Sequence, residues 1–182
     1  MRLASLSFRA VLTTIALLTL ATVAPVNAGE TAYEPMKPFA ALVDKVWRGV
    51  GADPSGKPIV DVSRWEYILD GRAVQHTHRI DGGTYGGRTI FFYDEGSKTY
   101  VFHYFTTGGF HTEGTMTIED GKIVSLEEVK GHETIAAVRG TIMVADGTMT
   151  SSSEYQSKED GSWSPGHSFA YEVAPSGTEV GY

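Results

Sequence analysis

Six histidines carry most of the chemistry this chain could do, because it contains no cysteine. His76 and His78 form a His-x-His pair, a spacing that turns both imidazoles to one side of an extended strand and could aim two nitrogens at one ion. A divalent site needs a third ligand, which His103 or His167 could supply, but no glutamate follows shortly after His78 to complete a set. His167, close to Trp163, Phe169 and Tyr171, could instead ligate a haem iron from an apolar wall. Without a Cys-x-x-Cys-His sequence any haem would be non-covalent. For hydrolysis no Gly-x-Ser-x-Gly elbow is present, and Ser151-Ser152-Ser153 reads as a polar strand. His111 and Glu113 pattern with Tyr104, as an acid/base set or, more simply, as an exposed cross-strand polar cluster. The glycine-rich run from Asp81 to Gly87 sits between strands rather than before a helix, so it reads as a hairpin loop and not a phosphate loop.

These residues can act together only if the elements carrying them bring them to one interior. From Ile59 onward the chain consists of short β-rich runs separated by turns: Asp-Gly at 70–71, 81–82, 120–121, 146–147 and 160–161, Gly-Gly at 108–109, and Glu95-Gly96-Ser97-Lys98. Asp-Gly supplies the positive φ angles of tight hairpin turns, and such near-regular spacing means a meander. Strands are predicted at 46–51, 59–69, 72–80, 87–94, 99–107, 110–118, 122–129, 134–145, 148–157 and 163–173. Before them, Pro38 to Val46 can form one short helix with Phe39, Leu42, Val43 and Val46 on one side. The expected fold is all-β, an antiparallel up-and-down barrel of about ten strands, with a two-sheet sandwich as the alternative. Closure would remove exposed strand edges. Trp47, followed by Gly49 and Gly51, would plug one end of the barrel, with Arg48 covering it.

Turn geometry then assigns faces. A turn centred on Asp70-Gly71 pairs Trp65 with His76 and puts Ser63, Trp65, Tyr67, Val74, His76, His78 and Ile80 on one side. A two-residue turn at Gly108-Gly109 puts Val101, His103 and Phe105 beside Phe110, Thr112, Gly114 and Met116. In the last strand Trp163, His167, Phe169, Tyr171 and Val173 alternate with small or polar residues. Four histidines, His76, His78, His103 and His167, thereby converge on the interior. Each alone reads as a hydrogen-bonded core histidine; together they could line a ligand cavity.

Arg2 and Arg9 followed by the apolar run from Ala10 to Val23 and by Val26-Asn27-Ala28 read as a secretory signal peptide, cleaved after Ala28. Residues 29–182 would then be a single domain, periplasmic or secreted, with no membrane insertion after cleavage. Losing two arginines takes the formal charge from −7 to −9. An acidic domain with no Lys/Arg block is a poor candidate for nucleic acid.

The short helix with Trp47-Arg48-Gly49-Val50-Gly51, then Arg64-Trp65-Glu66-Tyr67-Ile68-Leu69-Asp70-Gly71-Arg72 and Phe92-Tyr93-Asp94, resembles the bacterial lipocalin-like (calycin) barrels of unknown function. Trp47, Gly49, Gly51 and His167 are also distantly similar to nitrobindin, a haem-binding protein. The resemblance implies a ten-stranded barrel with a lumen and carries no catalytic residues to transfer. The expected function is binding of a small, mostly apolar ligand by Trp65, Tyr67, His76, His78, His103, Phe105 and His167. The alternatives are a haem or metal protein or small-molecule enzyme using the same histidines, and an interaction domain with a filled barrel.

Overall fold

The computed structural model describes residues 32–181 apart from 54, 81, 82 and 84; the expected signal peptide lies outside the described residues. A 3-10 helix at Glu34–Ala41 is followed by β1 (Lys45–Ala52), β2 (Pro58–Ile68), β3 (Ala73–Ile80), β4 (Gly86–Asp94), β5 (Thr99–Thr106), β6 (His111–Glu119), β7 (Lys122–Lys130), β8 (Ile135–Ala145), β9 (Thr148–Ser157) and β10 (Trp163–Val173). Each strand pairs antiparallel with the next, and β1 closes the barrel by pairing with β10. The fold is therefore all-β, a closed ten-stranded up-and-down barrel, and every expected strand forms within a residue or so of its predicted limits.

The helix departs from expectation. It spans Glu34–Ala41 rather than 38–46, and is 3-10 with Pro38 inside it. Proline fixes φ at about −65°, within the 3-10 range, so Pro38 fits the backbone of this short helix at the cost of one N–H donor. After it Asp44 takes a positive φ of 59° and donates its N–H to Trp65 O at 3.1 Å, which turns the chain into β1. Val46 therefore lies in a strand, while Phe39, Leu42 and Val43 are buried as their spacing suggests.

This helix stoppers one end of the barrel. Phe39 packs on Trp65, Phe91 and Tyr100 with ring centroids 5.5–6.4 Å apart. Trp47 Nε1 donates to Leu42 O at 2.9 Å, Tyr67 OH to Met36 O at 3.1 Å and Tyr100 OH to Pro35 O at 2.5 Å. Trp47 is fully buried and does plug this end, as expected, but Arg48 is exposed. Gly49 has a further reason to be glycine: a Cβ there would lie 2.4 Å from the Tyr171 ring. The Tyr171 ring thus lies across β1.

Two register details differ from the sequence expectation. The β5–β6 hairpin pairs His103 with Glu113 and Phe105 with His111, not in the register a two-residue turn would give. Gly109 takes a φ of 82° and Thr106 N donates to Phe110 O at 3.3 Å, so three residues, 107–109, make the turn. One extra residue slips the pairing by one and exchanges the faces. His103 and Phe105 consequently point outward, their rings stacked 6.4 Å apart with Phe105 55% exposed, and Phe102 and Tyr104 point inward. In β10 a bulge between Pro165 and Ser168 likewise inserts a residue. Trp163 is therefore turned out under the Arg139 guanidinium, 4.4 Å from its ring, while His167 keeps its inward direction.

Candidate functional site

The barrel encloses a cavity of about 580 Å³. Its floor, against the helix, is apolar: Trp65, Phe91, Phe102, Met116 and Ile123. The loop residues lining it (Asp53, Tyr85, Phe110 and His132) belong to the connections at the opposite end, so that end forms the mouth. Between floor and mouth runs a belt of polar side chains, each delivered by the period-two alternation of its strand.

On one side of the belt Asp61, 1% exposed, receives two hydrogen bonds, from His78 Nδ1 at 2.8 Å and from Tyr171 OH at 3.0 Å. A carboxylate can only accept, so His78 carries its proton on Nδ1. In the neutral imidazole Nε2 then accepts from Tyr104 OH at 2.8 Å, and Tyr104 OH lies 2.9 Å from Tyr85 OH. Tyr104 reaches this position across Gly87, where a Cβ would lie 2.1 Å from the ring. The result is a continuous hydrogen-bonded chain from the mouth to a buried acid. His76 sits below it, stacked 4.2 Å from Trp65 and 5.5 Å from His78, and burial pushes its imidazole well below the usual range.

Across the lumen, Thr112 Oγ1 hydrogen-bonds to Glu127 Oε2. Burial in this largely apolar setting raises the Glu127 carboxyl from its ordinary 4.5 to about 7, against the lowering effect of that one hydroxyl. Tyr155 OH meets His167 Nδ1 on β9 and β10, and burial lowers the His167 imidazole below its usual value. His132 Nδ1 at the mouth accepts from Thr134 N at 3.2 Å and Ile135 N at 3.1 Å.

Of the seven residues singled out from sequence, Trp65, His76, His78 and His167 line the cavity. Tyr67 is committed to the helix through Met36 O, and His103 and Phe105 face outward for the register reason given above. The set of Tyr104, His111 and Glu113 is also divided: Tyr104 faces the lumen, whereas Glu113 lies on the outer face 3.6 Å from Lys130 Nζ and 3.9 Å from His103 Nδ1. Among the described residues no three His, Asp or Glu side chains are grouped to hold a metal ion.

Sequence reasoning missed Asp61 and Glu127 and grouped Tyr104 with the outer-face residues His111 and Glu113. The two acids had a readable signal. Asp61 shares the alternation of Ser63 and Trp65, and Glu127 shares that of Ile123, Ser125 and Val129. An acid on a face otherwise destined for burial is the informative exception. Tyr104 was hidden by the register slip.

Comparison with known proteins places the fold. No family model matches the chain, and no curated protein matches it. Among solved structures it is similar to the crystal structure of Rv2717c from M. tuberculosis, with a TM-score of 0.62 at 9% identity, covering 79% of this chain and 99% of that one. At that identity the likeness is one of architecture: the two proteins share a fold, here a closed ten-stranded antiparallel β-barrel.

Proposed function

We propose that the barrel lumen binds a small, mostly apolar molecule. The observation that carries this reading is the cavity itself, about 580 Å³ with an apolar floor, a polar belt at mid-depth and a mouth on the side away from the helix. Ligand sites typically have about this size and this division between apolar area and a few placed polar groups. Trp65 and His76 would give stacking area, and His78, Glu127 and His167 orientation. The apolar segment of residues 1–28 supports a secretory leader, so we place this activity in the periplasm or outside the cell.

Titration with the neutral fluorophore N-phenyl-1-naphthylamine tests the reading. Saturable enhancement at one site is expected, and it should be lost when Met116→Trp fills the floor. No enhancement, or enhancement unchanged by Met116→Trp, would refute it. The second reading, haem held through His167 as the resemblance to nitrobindin implies, is favoured by one observation: His167 lies on the lumen wall with Nδ1 engaged by Tyr155, an arrangement that would orient the ring. A Soret band on adding haemin, abolished by His167→Ala, is its expected signature.

A further inference from the structure

The charge lining the lumen is one-sided. Among the described residues lining it, Asp53, Asp61 and Glu127 carry carboxyl groups, and none is Lys or Arg. Burial disfavours the charged form of His76 and His167, His132 Nδ1 is an acceptor of backbone N–H groups, and His78 is engaged by Asp61.

Two of the three acids are committed to the protein. Asp53 Oδ1 closes its own loop, accepting from Ser55 N at 2.9 Å and Lys57 N at 3.0 Å. Asp61 serves His78 and Tyr171. Glu127 differs. Its one hydrogen-bond partner among the described residues is the Thr112 hydroxyl, and it faces the cavity on β7 between Ser125 and Val129. The phenols of Tyr85 and Tyr155 lie close enough to feel its charge, and among the described residues no Lys or Arg forms an ion pair with it.

A carboxyl group in such a setting is poorly solvated when ionised, and what would repair that is a cation delivered from outside. We infer that the lumen selects an apolar amine, its hydrocarbon or aromatic body on the floor formed by Trp65, Phe102 and Met116 and its ammonium group against Glu127. The inference rests on the proposed lumen-binding function and specifies its ligand class. The ammonium would gain a charge-assisted hydrogen bond to Glu127, beside the phenols of Tyr85 and Tyr155. A carboxylate-bearing ligand of the same shape would bring a second negative charge to an acidic wall that offers no lysine or arginine, which is discrimination by repulsion. The acidic protein as a whole, at −7, also favours the approach of cations.

The test is calorimetric titration with three matched probes, decylamine, decanol and decanoate, below their aggregation concentrations. Decylamine should bind at least about tenfold more tightly than decanol, and decanoate more weakly than either. Glu127→Gln should remove most of the amine's advantage over decanol, read as the ratio of the two affinities within the same variant, which separates the site from loose attraction to an acidic surface. Thermal unfolding of the variant confirms that it remains folded. Equal binding of amine and alcohol, tighter binding of decanoate, or an amine preference that survives Glu127→Gln would overturn the amine inference while leaving lumen binding intact. Failure of all three probes to bind would overturn both.

Discussion

Glu127→Gln should make the unliganded protein more stable at alkaline pH and change it little at acid pH. In the folded chain the Glu127 carboxyl titrates at about 7, raised from 4.5 by burial. An acid whose folded value lies above its unfolded value binds more protons when folded. Its contribution to stability is therefore full below pH 4.5 and is lost as pH rises through 7. The shift corresponds to about 3 kcal/mol in all, most of it lost between pH 5 and pH 8. Glutamine retains a carbonyl that can accept from Thr112 and cannot ionise, so the variant escapes this loss. His76 and His167, both lowered by burial, act in the opposite sense, because their neutral folded forms are favoured as pH rises. The raw profile of either protein mixes these effects, and the difference between the two isolates Glu127. Urea unfolding at pH 5, 6, 7 and 8 is the assay. The stability advantage of the variant should grow by about 2–3 kcal/mol across that range, equivalent to a melting difference of about 5–10 °C for a domain of this size. Parallel profiles for the two proteins would refute the reasoning, showing that water in the lumen solvates the carboxylate.

Asp61→Ala removes the shared acceptor of His78 Nδ1 and Tyr171 OH from a buried position. It should cost about 3–5 kcal/mol in urea unfolding, and Asp61→Asn, which keeps one acceptor, clearly less. The pair Phe102→Ala and Phe105→Ala tests the β5–β6 register. The first residue is 4% exposed and the second 55%, so the expected costs are about 3–5 kcal/mol and under about 1 kcal/mol. Equal costs would contradict the assigned faces.

How much of this was legible in the sequence depended on whether a feature is set locally. Asp-Gly turns define where strands stop, and the turn around Asp70-Gly71 also fixed its register correctly, so Trp65 does face His76. The residues 107–109 look equally simple on paper. Whether two or three residues make that turn depends on Gly109 adopting a positive φ and on Thr106 pairing with Phe110, and neither can be read from a Gly-Gly dipeptide. One residue of difference moved His103 and Phe105 from the lumen to the surface. The bulge near Pro165 did the same to Trp163. The polar belt was least legible, because its contacts link distant positions: Tyr171 meets Asp61 across 110 residues. Alternation could have nominated Asp61 and Glu127 as inward acids, but only closure of the barrel shows which partners each finds.

That closure has a consequence for how the chain becomes a protein. Nine of the ten strand pairings join neighbours in sequence, and each can form as soon as its hairpin exists. The tenth joins β1 to β10, the earliest strand to leave the ribosome and the last. Until β10 is made, β1 has only β2 beside it, and the Tyr171 ring that Gly49 accommodates has not yet been synthesised. The seam is therefore a late, long-range event of the kind that slows folding, and an open sheet with two bare edges precedes it. A chain truncated within β10 should remain in that state, with both edges offered to other molecules, and its expected fate is association rather than a smaller barrel.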